Sequence, residues 1–261
     1  MADPQKTSEP LSSAPVLVPI SPQDFARTKR RIVWACIGAA VVVVVLSAWM
    51  YKRSMDPIKA REAYTTGEGF FKNLRYTQAI LAFDQAVALK PDFVDAYLLR
   101  ARSHVIQGDL PPAVDDFTKV IQLRPADAQA YVERGAVYLA QKNYEAALAD
   151  CESAIAKDSQ LAAAYNVRGS ALRNIGDLPK ALAAFSRAVE LAPTADNYFQ
   201  RASTHQLLDQ HRDALADLEL VIAFKPDSPE AYLARARSER ALGDKDSADR
   251  DYQQARQLDG R

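Results

Sequence analysis

A proline-ending dipeptide recurs along this chain at Lys90-Pro91, Arg124-Pro125, Ala192-Pro193 and Lys225-Pro226, at intervals of 34, 68 and 33 residues, with Ser159 where the missing proline would fall. Self-similarity at such a period decides a fold before any single motif does. Aligned on it, tyrosine returns at Tyr97, Tyr131, Tyr165, Tyr198 and Tyr232, and alanine at Ala79, Ala113, Ala147, Ala181, Ala214 and Ala248. A bulky residue follows four places later (Phe83, Phe117, Cys151, Phe185, Leu218, Tyr252), and a small or β-branched one three after that (Ala86, Val120, Ala154, Ala188, Val221, Ala255). Such spacings put these residues on one helix face. Gly108, Gly176 and Gly243 stand where a first helix would end, and Pro111, Pro112 and Pro179 where a second would begin. Each period reads as a helical hairpin that cannot bury its apolar stripe alone, so stability comes from stacked neighbours.

On these positions the sequence resembles the tetratricopeptide-repeat family, with six repeats at 60–93, 94–127, 128–161, 162–194, 195–228 and 229–261, about three quarters of the chain. The resemblance implies an all-α, right-handed superhelical solenoid with two antiparallel helices per repeat and a concave face that holds partner peptides. It departs from the family in its first repeat, which has Ala63 at the tyrosine position and Gly69 inside its first helix, a cost of about 1 kcal/mol in helix propensity. The final stretch 246–258 carries Asp249, Arg250, Gln253, Gln254 and Gln257, a polar exterior suited to capping the stack.

Carrying the family's concave positions onto this chain gives a non-uniform groove. Its expected partner-binding residues are Leu98, Arg102, Val105 and Ile106 from the second repeat, Val132 and Leu139 from the third, Asn166, Arg173 and Asn174 from the fourth, and Phe199 from the fifth. An apolar patch thus adjoins an amide and arginine patch, fit to hold an apolar anchor of a partner segment while polar groups meet its backbone or carboxylates. The chaperone-tail clamp of some family members needs Lys and Asn where this chain has Tyr64 and Glu68, which argues against that partner.

A second recurrent set is Arg100, Arg134, Arg168, Arg201 and Arg235, with Asp116, Asp150, Asp217 and Asp251 sixteen residues after four of them and Ala184 in the remaining place. Read functionally, these arginines would be an anion-binding row. Because guanidinium pairs bidentately with carboxylate and the two residue types recur together, a structural ladder is the better reading.

Ahead of the repeats, Ile32 to Tyr51 run for twenty residues without a charge, which as a helix would span about 30 Å, the thickness of a bilayer core. Trp34 at one end, Trp49 and Tyr51 at the other, and the flanking Arg27, Lys29, Arg30, Arg31, Lys52 and Arg53 complete the pattern of a transmembrane helix. A cleavable signal peptide would have a shorter core and a small-x-small exit in place of Leu46-Ser47-Ala48-Trp49-Met50, so the run reads as an uncleaved signal-anchor. Residues 1–31 read as a disordered Pro/Ser-rich tail ending in the basic cluster, and 52–59 as a short juxtamembrane linker. Asp56-Pro57 then opens the first repeat helix about five residues past the span, a reach of at most roughly 17 Å. Four basic residues lie on each side within ten residues, but the first four abut the span directly, which favours a cytoplasmic N-terminus.

Composition narrows the chemistry. A chain that is 48% hydrophobic and 25% charged is an ordinary folded protein, not a low-complexity one. Residues 60–261 hold 25 basic and 29 acidic groups, a balance that speaks against nucleic acid. Two cysteines, Cys36 and Cys151, make no disulfide framework or zinc site. No phosphate-binding glycine loop, His-Glu-x-x-His or nucleophile elbow occurs, and His104 and His205 occupy equivalent positions where the family packs an aromatic. The expectation is a non-enzymatic scaffold without cofactor, metal or small-molecule substrate, anchored in a membrane by 32–51 and binding other proteins near it. Bacterial proteins of this layout serve envelope biogenesis, secretion or cytochrome maturation, which implies an inner-membrane protein with periplasmic repeats. Similar layouts also occur in mitochondrial import receptors. The alternative is a self-assembling structural scaffold, a homo-oligomer, or an accessory subunit of a membrane enzyme complex.

Overall fold

The computed structural model describes residues 22–260, and among them twelve helices and no strand. They fall into two compact units, one up to Met55 and the other from Asp56. Helix α1 runs Pro22–Lys72, so residues 22–31, expected in the tail, and 52–59, expected as a linker, are helical. The remainder of the expected tail, 1–21, lies outside the described residues. Pro57 sits inside α1 rather than opening a new helix. A proline removes one hydrogen bond but does not oblige a helix to end where the residues around it, here Met55, Ile58, Lys59 and Ala60, favour the helix. In the first unit Val33, Trp34, Ile37 and Val41–Leu46 are exposed. Among the described residues no helix is long and apolar enough to cross a membrane; the run 32–51 contains four side chains, at 32, 36, 48 and 51, outside the described ones.

In the second unit the end of α1 pairs with α2 (Tyr76–Leu89), and five more hairpins follow: α3 (Val94–Gln107) with α4 (Leu110–Leu123), α5 (Ala128–Ala140) with α6 (Tyr144–Lys157), α7 (Ala162–Asn174) with α8 (Leu178–Leu191), α9 (Ala195–Leu207) with α10 (His211–Phe224), and α11 (Pro229–Ala241) with α12 (Lys245–Asp259). From α2 onward each helix packs on its chain neighbours, and α5, α7, α9 and α11 also touch in sequence, so these four first helices line one face.

The periodic residues are the core. Ala79, Ala113, Ala147, Ala181 and Ala214 are fully buried with Phe83, Cys151, Phe185 and Leu218, and Phe117 and Ala248 are nearly so. Alanine at the crossing lets the two helices of a hairpin approach, and the bulky residue one turn on fills the space beyond. Glycine serves the same approach from the other side: a Cβ on Gly169 would lie 2.8 Å from the Phe185 ring. The turn inside each hairpin passes through left-handed backbone, at Gly108 (φ +78°), Gly176 and Gly243 (both φ +89°), while Leu74, Lys142 and Asp209 adopt it without being glycine. Three of the second helices, α6, α8 and α12, start at side-chain caps, where Asn143, Asp177 and Asp244 accept from the Ala146, Lys180 and Ser247 N–H groups.

The arginine row is a structural ladder. Nε and Nη2 of Arg100, Arg134, Arg201 and Arg235 donate to both oxygens of Asp116, Asp150, Asp217 and Asp251 at 2.6–2.9 Å. All four aspartates are buried. The same arginines lie over Tyr97, Tyr131, Tyr198 and Tyr232, with 5.3–5.9 Å from guanidinium carbon to ring centroid. Hydrogen bonds donated to Asp150, Asp217 and Asp251 raise the pKa of Arg134, Arg201 and Arg235 above its ordinary value. Arg100 is raised as well: burial pulls the other way, and pairing with Asp116 and Asp84 outweighs it. Each pair ties the first helix of a hairpin to its second.

Candidate functional site

Helices α3, α4 and α5, with the end of α1, present a cavity of about 320 Å³ lined by Phe71, Arg102, Val105, Ile106, Leu110, Phe117, Glu133, Ala136, Val137 and Ala140. Phe117 and Val137 are buried beneath it, whereas Ile106 is 52% and Val105 38% exposed. Two adjacent branched residues left in water beside a filled core are the signature of a surface that gains by being covered. One polar device stands among the lining residues. Arg102 donates from Nε and Nη2 to both oxygens of Glu133 at 2.8 and 2.6 Å, and that hydrogen bonding holds the guanidinium pKa above its ordinary value. Gln129 Nε2 adds a longer bond of 3.4 Å to the same carboxylate. Arg102 is therefore committed across α3 and α5, where it fixes their spacing.

A second cavity, about 440 Å³, is lined by Arg173, Phe199, Gln200, Ser203, Gln206, Leu207 and Arg237 from α7, α9 and α11. Arg173 lies 5.3 Å over the Phe185 ring, and partial burial lowers its pKa from the ordinary value. Gln206 Nε2 donates to the Ala234 carbonyl at 2.6 Å and to Ser238 Oγ at 2.7 Å, bridging α9 to α11. Asn166 Nδ2 donates to Asn197 Oδ1 at 2.7 Å, and the buried Asn197 in turn donates to the Ala188 and Ala192 carbonyls. Asn166 belongs to this relay between repeats. Exposed Asn174 accepts from the Tyr144 hydroxyl at 3.5 Å and donates to the Ser170 carbonyl at 2.8 Å.

The expected groove residues thus separate. Arg102, Val105 and Ile106 share the apolar cavity, and Arg173 and Phe199 share the polar one. Leu98 is partly buried against the clusters around Val120 and Ala113, and Leu139 is half-buried and lines neither cavity. Val132 is corrected outright: only 4% exposed, it packs with Ala154 and Ala164 in the core. It occupies the same repeat position as Leu98, but sits in the seam between α5, α6 and α7, where Ala154 and Ala164 close over it. Glu133, Leu110, Phe117 and Val137 were not anticipated as lining residues. Glu133 had a usable signal, an acid 31 residues after Arg102 in the next repeat, whereas Phe117 was legible only as core. The two expected histidines are half-buried: His104 Nδ1 lies 3.2 Å from Asp109, and His205 Nδ1 shares a 2.7 Å hydrogen bond with Gln210 Oε1. Among the described residues no group of three or more His, Cys, Asp or Glu could hold a metal.

A family model described as a tetratricopeptide repeat-like domain matches residues 25–217. Heat shock protein STI1 of Saccharomyces cerevisiae is 29% identical over 94 residues, 35% of this chain and 16% of that protein. Hsp70-Hsp90 organizing protein 3 of Arabidopsis thaliana is 36% identical over 64 residues, 24% of this chain and 12% of that protein. The chain therefore matches less than a fifth of the length of either. The crystal structure of PilW, a widely conserved type IV pilus biogenesis factor, has a TM-score of 0.68 at 19% identity, covering 77% of this chain and 92% of that one, a likeness of fold.

Proposed function

We infer function from family: the chain belongs to the tetratricopeptide repeat-like domain family, whose match extends over 25–217, and its fold is that of a protein-interaction scaffold. The reading we propose is a non-enzymatic adaptor held in a membrane by residues 32–51, which takes a segment of a partner protein on the face lined by the first helices of its hairpins and so supports assembly, folding or transport of proteins there. The single observation carrying it is the apolar cavity at α3 and α5, with Val105 and Ile106 exposed over buried Phe117 and Val137. A partner side chain seated there would cover apolar surface worth about 25 cal/mol per Å². The fixed Arg102–Glu133 pair at its rim offers the remaining carboxylate lone pairs to a partner's backbone N–H.

The anchor rests on the charge-free run of twenty residues, its flanking aromatic and basic groups, and the exposure of Trp34 and Val41–Leu46. The basic cluster at Arg27–Arg31 abuts the run and favours a cytoplasmic N-terminus, hence a bacterial inner-membrane protein with periplasmic repeats. Two measurements test the reading. A photo-crosslinker at residue 106 of the full chain in cells should trap a partner that Val105→Glu with Ile106→Glu loses, with helicity unchanged. Retention of the same crosslinked partner in the double variant would refute the cavity. For the anchor, resistance to alkaline extraction and labelling of a surface cysteine by an impermeant thiol reagent are expected, and release at alkaline pH would refute it.

A further inference from the structure

Four hairpins place a buried aspartate against the ladder arginine, and the hairpin of α7 and α8 does not: Arg168 faces Ala184. Among the described residues Arg168 makes no ion pair or hydrogen bond, and it lacks the stacking on its tyrosine, Tyr165, that the other four arginines make. The missing carboxylate leaves space. A cavity of about 370 Å³ is lined by Tyr165, Arg168, Lys180, Ala183, Ala184 and Arg187, three cations and no acid. Lys180 is engaged at 2.7 Å by Asp177, and Arg187 at 2.9 Å by Glu190, both on the exposed surface of α8. Arg168 alone remains a guanidinium without a counter-ion, half-buried at the position where its four equivalents each hold a carboxylate through two parallel hydrogen bonds.

We propose that this cavity is a binding site for an acidic side chain of a partner protein, whose carboxylate takes the place on Arg168 that an aspartate fills in the other ladder pairs. The protein supplies its own template: Nε and Nη2 of Arg134 meet Asp150 at 2.9 and 2.7 Å, the bidentate geometry that favours carboxylate. The volume far exceeds that of one carboxylate, leaving room for the chain carrying it, with Tyr165 as a flat wall. A single missing atom group thus converts one rung of a structural ladder into a docking point. The site shares no residue with either groove cavity, so it stands or falls independently of the groove reading.

The test is fluorescence anisotropy of a fluorescein-labelled hexa-aspartate peptide with the full chain in nonionic detergent at low salt. Saturable one-site binding is expected. Ala184→Asp, which seats the chain's own carboxylate on Arg168, and Arg168→Gln, which removes the fork, should each weaken it at least tenfold, about 1.4 kcal/mol. Lys142→Gln, an equal charge change on an exposed turn, should leave it unaltered. Binding by Ala184→Asp as tight as the parent's, or no saturable binding at all, overturns the proposal. Should Ala184→Asp fail to fold by circular dichroism, Arg168→Gln carries the same decision. Inorganic phosphate serves as a second probe: phosphate bound with this variant dependence while the peptide is not would overturn an acidic side chain in favour of a free oxyanion.

Discussion

Replacing Arg134 by alanine tests the ladder where it is most connected. Arg134 donates to both oxygens of Asp150 on α6 and, through Nη1, to Thr118 Oγ1 on α4 at 2.9 Å, so one side chain ties three helices across two repeats. The arginine side chain is 17% exposed and the aspartate 7%. At such burial the Coulomb attraction of charges about 4 Å apart is on the order of 4 kcal/mol, most of which offsets the cost of bringing both ions out of water. Deleting only the arginine keeps that cost for Asp150 and loses the attraction, which leads to destabilisation of about 3 kcal/mol, the low end for a buried pair because some solvent reaches the guanidinium. Removing both charges, as Arg134→Met with Asp150→Leu, should cost far less, giving a coupling energy above about 1 kcal/mol. Because a repeat array need not unfold in one step, hydrogen exchange of α5 and α6 amides is the assay, beside urea unfolding of the full chain. A loss below about 0.5 kcal/mol, no more than an ordinary exposed ion pair gives, or strict additivity in the double variant, refutes a structural role.

Three further outcomes follow from single environments. Gly169→Ala should destabilise by about 1–3 kcal/mol, because its Cβ would meet the Phe185 ring at 2.8 Å, while Gly135→Ala at the equivalent position should cost less, since there the nearest atom is 3.3 Å away and Cys151 replaces the ring; paired thermal melts decide the order. Burial pushes the Cys151 thiol up to about 12, so in a Cys36→Ser background a thiol reagent at pH 8 should label it only after unfolding. A folded pKa above the unfolded one makes this group's contribution complete below pH 9 and lost as pH rises toward about 12, so alkaline melts should fall less in Cys151→Ala; equal falls would refute this. Glu239 carries a buried oxygen without a hydrogen-bond partner, and burial raises its carboxyl above the usual glutamate range, so its charged form is a penalty that grows as pH rises through that raised value. Glu239→Gln should accordingly raise the melting temperature at pH 7 and lose that advantage in acid, and a variant that melts lower at both pH values would refute this.

The hairpins, their core alanines and the ladder were legible because each depends on spacing that a helix converts directly into a shared face. Position along a helix is a weaker guide to what a face touches. Leu98 and Val132 hold one repeat position, yet Val132 closes into the core, because seams between neighbouring repeats depend on the size of residues contributed by both. Arg102 looked free in the sequence because its partner, Glu133, lies 31 residues away on another helix. Pro57 looked like a helix start because proline suits that position, but propensity around it, not the proline, decides whether the helix continues. What repetition does supply is an internal control: with four ladder rungs defining what the fifth should contain, the alanine at 184 becomes readable as an absence with a shape, a charge and a geometry. A departure from a repeat that leaves a half-buried guanidinium without the carboxylate its four equivalents hold costs desolvation with no pairing to offset it, unless something outside the chain supplies the missing charge, and that is the physical reason to look for a ligand at Arg168 before looking elsewhere.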